Sequence, residues 1–347
     1  MTPTETVPAG YVLRPATADD APAIQMLLNA AESADCGEDR QDDFEIAADL
    51  LDPDVDITRD WFLIVDSTAQ PAAFGQVYCD VGAEPRTYAT VAPQHRGRGL
   101  ATCLLALAEG RLRERLADGT ADSSRRTLLA ECEDIKTERI AWLIRRGYRR
   151  VRDSYAMRID LSLGSAEPVW PVGFEIRTAQ LPEDARPAYE LDLEAFVDHF
   201  GYREMPFRAW TAWYESQPDF DPTLWLIAWD GERVAGQVIA AVRGEAGYVG
   251  DVAVRREYRG RGLGLALLLG VFEGFRAHGV DDVFLFVDAE NTTGAVRLYE
   301  KAGMRVWRRF GTWRLDIGEG AGATAAGDEA GAPVAGHGAG GPAEAGA

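Results

Sequence analysis

The feature that most constrains this chain is that its sequence occurs twice. Around residue 91 it reads VAPQHRGRGLATCLLALAEGRL, and around residue 254 it reads VRREYRGRGLGLALLLGVFEGF. Gly97 and Gly260 stand 163 residues apart, as do Arg14 in YVLRPAT and Arg177 in GFEIRTA. One offset held over more than eighty residues marks a duplicated unit, not a chance similarity. Further on, RRGY at Gly147 matches KAGM at Gly303 with an offset of 156, so the first copy has seven more residues after its long helix. They fall around ADGTADSS, which reads as a loop. Between the copies, LSLGSAEPVWPV at 161–172 carries Gly, Ser and two prolines and reads as a linker.

Each copy predicts the same order of elements. In the second, FEIRTA is a strand, Pro182 to about His199 is helical, and a further helix covers about Phe207–Glu215. LWLIAWD (224–230) and RVAGQVIAAV (233–242) are strands joined at Asp230-Gly231, a hairpin signal. YVGDVAV (248–254) is another strand. Leu263–His278 has leucines on almost every face and predicts a buried helix. VFLFVDAE (283–290) is a strand, Thr292–Ala302 a helix stopped by Gly303, and MRVWRRFGTWRLDI two closing strands. The expected fold class is α/β in the broad sense, an α+β mixed sheet flanked by helices, twice over. The expected boundaries are a first domain at 11–160, the linker at 161–172, a second domain at 173–317 and a tail at 318–347. That tail is Gly- and Ala-rich with almost no branched apolar residue, a composition that predicts disorder.

Composition narrows the function. The net charge of −20 repels phosphate backbones and anionic lipid, so neither nucleic acid nor membrane is an expected partner. No apolar run reaches the roughly 20 residues of a membrane helix, and the N-terminus has no signal-peptide pattern, which predicts a cytoplasmic protein. The four cysteines (Cys36, Cys79, Cys103, Cys132) lack metal-ligand spacing, so no metal is expected and reduced, buried thiols are.

The chemistry sits at the strand–RGRGLG–helix junction. Closely spaced glycines let backbone N–H groups converge at a helix start, where the dipole favours an anion such as phosphate. Walker A is excluded because no Gly-Lys pair occurs, and GxGxxG fails because Leu265 and Thr102 stand where the third glycine belongs. What fits is the spacing in Gln94-His95-Arg96-Gly97-Arg98-Gly99 and in Glu257-Tyr258-Arg259-Gly260-Arg261-Gly262-Leu263-Gly264. The second copy adds Asn291-x-x-x-Ala295-x-x-x-Tyr299-Glu300-Lys301-x-Gly303 about thirty residues later.

With these two linked motifs the sequence resembles the GNAT acetyltransferase superfamily over about 11–160 and 173–317. The resemblance implies acetyl-CoA as co-substrate and an amine, small-molecule or peptide, as acceptor. It implies that the turn holds pyrophosphate, with Arg259, Gly260, Arg261, Gly262, Leu263 and Gly264 in the second copy and Gln94, Arg96, Gly97 and Gly99 in the first. The pantetheine would lie along Val252-Ala253-Val254, with Asn291 nearby, and Tyr299 would protonate the departing thiolate. Glu257 departs from the Gln or Arg usual at its place. In the first copy Leu143 stands where Tyr299 stands and Ile135 where Asn291 stands, so catalysis is expected in the second copy alone. The tandem layout also resembles the mycothiol synthase family; the position of that family's strand glutamate is held here by Tyr248.

Acyl transfer needs an acceptor for the amine's proton. Asp251, an acidic residue within a strand, is the leading candidate, ahead of Glu290 and His199. Aromatics at Phe196, Phe200, Tyr202, Phe207, Trp210, Trp213 and Tyr214 mark the acceptor region, and Asp192, Glu194 and Asp198 there would favour a cationic amine. The expected molecule is a metal-free monomer with its two copies packed as an intrachain pseudo-dimer. The alternative is a non-catalytic acyl-CoA sensor.

Overall fold

The computed structural model describes residues 7–37, 56–79, 84–122, 125–197, 204–217, 219–291 and 293–318. His199, Phe200, Tyr202, Asp198 and residues 319–347 of the expected tail lie outside them. The chain divides into two compact units.

The first unit holds residues up to 151 and takes up the chain again at Gly311. It is built from strands β1 (Tyr11–Pro15), β2 (Trp61–Asp66), β3 (Pro71–Tyr78), β4 (Arg86–Val91) and β5 (Thr127–Glu133). Its helices are α1 (Ala21–Cys36), the short α2 (Ile57–Asp60), α3 (Leu100–Ala117) and α4 (Thr137–Arg145). β1 to β4 pair antiparallel in sequence order, and β4 meets β5 in parallel.

The second unit spans 152–310. It begins within β6 (Arg149–Asp160) and continues through β7 (Glu175–Thr178), α5 (Ala185–Phe196), α6 (Phe207–Ser216), β8 (Phe220–Asp230), β9 (Arg233–Arg243) and β10 (Ala246–Val254). Next come α7 (Leu263–Ala277), β11 (Asp282–Asp288) and α8 (Ala295–Lys301). Its strands run in the order β6-β11-β10-β9-β8-β7. One core cluster joins α7 to the sheet through Val249, Val252, Val254, Leu267, Phe272 and Tyr299. The other joins α5 and α6 to the opposite face through Tyr189, Trp210, Trp225, Ile239 and Ala253.

The units divide inside strands, not at 161–172 as expected. β6 pairs residue for residue with β11, from Asp282↔Asp160 to Asp288↔Ser154. The final strand β12 (Arg305–Asp316) is one element rather than two, and its end from Gly311 belongs to the first unit. Gly311 lies inside this single strand, where a Cβ would meet Arg150 Nε at 2.8 Å, so the position suits glycine. The expected linker touches the second unit at Leu161 and Trp170, while Leu163, Val169 and Val172 are exposed. Leu161 is buried and its N–H donates to Asp281 O at 2.6 Å. The Trp170 ring lies so close to Gly270 that a Cβ would stand 2.7 Å from it.

The repeated arginines that reveal the duplication do the same structural work in both units. Arg14 forks onto Asp20 at 2.8 and 2.6 Å, and Asp20 also accepts the Thr17 N–H. Arg177 forks onto Asp184, which also accepts the Gln180 N–H at 2.6 Å. Each aspartate stands just before the first helix of its unit and ties it to the first strand. Burial pushes the Asp184 carboxyl up, but its bonds to Arg177 and Gln180 outweigh this and hold it below the usual carboxylate range. Asp184→Ala is therefore expected to cost about 2–3 kcal/mol, read from the urea midpoint at pH 7. Because the folded pKa lies below the unfolded one, the carboxyl's contribution is present above pH about 4 and fades as pH falls. The gap between variant and wild type should shrink correspondingly in acid.

Candidate active site

The site forms where β10 runs into the glycine turn. β10 and β11 pair in parallel only at Gly247↔Val283 and Tyr248↔Phe284. On its other edge β10 stays paired with β9 through Val254↔Gly236. The edge of Asp251–Val254 that faces β11 is thus outside the parallel ladder, which suits an extended ligand that brings its own amides. In the first unit β4 and β5 likewise pair only at Arg86↔Leu129 and Thr87↔Ala130.

A bulge decides where Asp251 points. The β10–β9 register shifts between Val249 and Asp251, leaving Gly250 as the extra residue. Val249, Val252 and Val254 therefore share the α7 core, a step of three and then of two. Strict alternation from Val249 would drive Asp251 into that apolar core. The bulge turns it to the opposite face with Ala253, toward α5 and α6.

On that face Asp251, only 7% exposed, accepts a short hydrogen bond from the Tyr214 hydroxyl of α6. Burial pushes its carboxyl up to about 6, with Tyr214 pulling the other way. Asp192 of α5 is also buried, accepts from Trp210, and is pushed well above the usual range by burial and by the Asp251 charge. Trp210 and Tyr214 stack edge to face at 4.9 Å, and both abut Trp225 at 5.8 Å. Tyr248 lies under the Arg243 guanidinium, 3.9 Å from the ring centre. Tyr299 of α8 is fully buried and its hydroxyl has no hydrogen-bond partner. Burial, then the nearby Asp251 and Tyr248, hold its pKa well above the ordinary phenol value, so it stays protonated.

The turn itself fits an anion. After Arg256–Tyr258, Gly260 and Gly262 adopt φ of +75° and +84°, and Gly262 caps α7. A Cβ at either glycine would meet nothing within 4 Å, so the backbone faces open space. Arg259 is anchored through Nε to Val254 O at 3.0 Å, and the Arg261 guanidinium lies over Tyr258. The unusual Glu257 pairs with Arg233 at 2.5 Å. Asn291 caps its own turn by accepting the Thr293 N–H at 2.7 Å. Glu290 stands 3.6 Å from Arg152 and is half exposed.

The first unit has the same turn, with Gly97 and Gly99 at φ +74° and +82°, but different surroundings. Arg96 pairs with Asp35 at 2.6 Å and Arg98 donates to Tyr11. The register of β4 on β3 is unbroken, so there is no bulge. Counting from the glycine turn, Tyr88 stands at the Asp251 position, and counting from Asp20, Leu28 stands at the Asp192 position. Leu143 is buried beside Trp313 and Cys132.

In sequence Asp192 is only one of several acids, since the charge it feels from Asp251 comes from an element 59 residues away. One further cluster arises from distant residues. Glu32, Cys36 and Glu133 bring their ligand atoms within 4.8 Å of one another. Cys36 donates to Glu133 at 3.3 Å and Lys136 pairs with Glu32 at 2.7 Å. Burial, then Glu133, pushes the thiol up to about 12, so it is a protonated hydrogen-bond donor. Among the described residues no helix is long and apolar enough to cross a membrane.

These elements define an acetyltransferase fold. Residues 184–304 match the acetyltransferase (GNAT) family model. The chain is 32% identical over 228 residues to the mycothiol acetyltransferase of Nocardia farcinica, covering 62% of this chain and 69% of that protein. It is 33% identical over 173 residues to that of Thermobispora bispora, covering 46% of this chain and 56% of that protein. Among solved structures, the GCN5-related N-acetyltransferase from Sphaerobacter thermophilus is 34% identical with a TM-score of 0.76, covering 91% of this chain and 98% of that one. A tandem GNAT protein from the clavulanic acid biosynthesis pathway shares the fold at 20% identity, TM-score 0.70, over 90% of this chain and all of that one. The chain belongs to the GNAT acetyltransferase family. Its match to the Thermobispora relative spans little more than half of that protein's length.

Proposed function

We propose that the second unit transfers an acetyl group from acetyl-CoA to a primary amine, and that the first unit does not turn over. The observation that carries this reading is that the two proton-handling groups lie within electrostatic reach of each other. Asp251, with a carboxyl raised to about 6, and Tyr299, protonated and unpartnered, flank the open edge of the strand that leads into the anion-binding turn.

The residues divide the work by chemistry. The backbone N–H groups at Gly260–Gly264 and the start of α7 bind the pyrophosphate of acetyl-CoA, with Arg259 and Arg261 beside it. Val252, Ala253 and Val254 orient the pantetheine with their free edge. Asp251 takes the proton of the incoming amine, directly or through one water. Tyr299 gives its proton to the sulfur as the thiolate leaves. A carboxyl near 6 is ionised at neutral pH yet basic enough to receive a proton. In the mycothiol synthase family the strand carboxylate is a glutamate at the Tyr248 position; here the base stands three residues later. The acceptor is assigned by class, as a primary amine.

The test is release of free thiol from acetyl-CoA in the presence of an amine panel, with labelled acetyl recovered on the amine. Binding of acetyl-CoA with no transfer and no slow hydrolysis would favour the sensor.

A further inference from the structure

We propose that Arg233 is a positioning residue for the anion-binding turn of the second unit: it cancels the charge of Glu257 and holds that carboxylate aside, so that a turn with an acid in its first place still accepts a polyphosphate ligand. The proposal deepens the acetyl-transfer reading and rests on it for the identity of the ligand as CoA or its thioester.

The tip of the β8–β9 hairpin reaches the turn through two consecutive residues. Arg233 Nη1 pairs with Glu257 Oε1 at 2.5 Å, and the Tyr258 hydroxyl donates to Asp230 at 2.8 Å. Glu257 and Tyr258 lie in the short helical turn Arg256–Tyr258 that leads into Gly260. Tyr258 is buried and carries the Arg261 guanidinium 5.4 Å from its ring centre. Behind Arg233, Glu194 of α5 stands at 4.0 Å and is itself paired with the buried Arg255, whose Nε donates to Val234 O at 2.6 Å. The hairpin, α5 and the turn are thus joined through one chain of alternating charges that ends at Glu257.

The duplication supplies an internal comparison. At the offset of 163, Arg233 corresponds to Gln70 and Glu257 to Gln94. The correspondence holds in the backbone, since the Asp66 N–H donates to Gln70 O at 2.9 Å where Asp230 pairs with Arg233. The two places therefore differ together between the copies, two neutral amides in one and two opposite charges in the other. Glu257 stands three residues before Gly260, and its carboxylate alone would oppose the anion that the turn and the start of α7 attract. Like charges repel over about 10 Å at 0.1 M salt. Arg233 and Glu257 are both half exposed, and such a pair contributes little to stability, so its effect falls on the ligand and not on the fold.

The experiment is calorimetric titration of full-length protein with CoA, at about 50 mM and about 300 mM salt. The proteins compared are wild type, Arg233→Gln, Glu257→Gln and the double variant, which carries the first unit's two glutamines. Arg233→Gln is expected to weaken CoA by about 3- to 10-fold at the lower salt, and by less than about 2-fold at the higher. Glu257→Gln should bind CoA at least as tightly as wild type, and the double variant should recover wild-type affinity. Wild-type affinity in Arg233→Gln overturns the role of Arg233. A double variant as weak as Arg233→Gln also overturns it, because the arginine would then act by packing and not by cancelling Glu257. A loss in Glu257→Gln equal to that in Arg233→Gln would make the carboxylate a favourable part of the turn and contradict the proposal even if Arg233→Gln failed to fold. Failure of the acetyl-transfer reading looks different: CoA binding depends on Arg233 as described while no amine is ever acetylated.

Discussion

Tyr299→Phe should lower the rate of acetyl transfer by about 10²- to 10⁴-fold, the usual worth of a positioned general acid. It should do so without loss of stability. The hydroxyl is fully buried and has no hydrogen-bond partner, so the wild-type fold bears its desolvation with nothing in return. Phenylalanine keeps the ring that packs with Leu267, Phe272 and Val287 and removes the orphan. The melting temperature should therefore hold or rise while turnover collapses. A purely structural Tyr299 would show the same stability but keep the wild-type rate. A variant running at the wild-type rate would mean that the proton comes from water or another side chain, and Tyr299 would lose its assigned role.

Asp251→Asn should be the other large loss, again about 10²- to 10⁴-fold in kcat/KM near pH 7. The wild-type profile should rise through about pH 6 as the carboxyl ionises, and the variant should lack that limb. The same residue makes a linked prediction about stability. Its folded pKa lies above the unfolded value of about 3.9, so the folded state binds the extra proton. Stability from this carboxyl is therefore fully present below pH about 4 and is lost as pH rises through about 6. Asparagine mimics the protonated form and should flatten that part of the stability curve, leaving the variant the more stable protein at neutral pH. Denaturant midpoints of the two proteins at pH 4 and pH 7.5 give the sign directly. An unchanged activity limb near pH 6 in the variant would assign the titration to another group.

Much of this was legible in the chain because it depends on local spacing. The repeat, the glycine turn and the Asn291 to Gly303 run are short patterns whose geometry is set within a few residues. The helix expected from Thr292 begins only at Ala295, because Gly294 takes φ +85° at its cap. Other features depend on partners far away in sequence. The unit boundaries escaped the linker reading because Ser154–Asp160 finds its partner in Asp282–Asp288. The two strands expected in MRVWRRFGTWRLDI form one, with Gly311 inside it against Arg150. Gly250 is an ordinary strand glycine in sequence, yet its bulge turns Asp251 away from the apolar α7 core. Asp192 sits between Glu190 and Glu194 and reads as one acid among several on a helix surface, although it alone of the three is buried. The odd Glu257 makes sense once Arg233 is found beside it.

The two glycine turns offer a matched pair for the claim that the second unit alone is catalytic. Gly97 and Gly260 have φ of +74° and +75°, and a Cβ at either would meet nothing within 4 Å. A side chain at either position therefore carries a similar backbone strain of about 1–2 kcal/mol, and the stability costs cancel in the comparison. Glutamate at either place sets a carboxylate where a pyrophosphate would bind, so any difference in activity reports which turn serves the reaction. The most direct measurement is acetyl transfer by folded Gly97→Glu and Gly260→Glu proteins at saturating amine. Gly260→Glu is predicted to abolish transfer and Gly97→Glu to leave most of it. Loss of activity in Gly97→Glu with Gly260→Glu still active would place catalysis in the first unit and contradict the assignment.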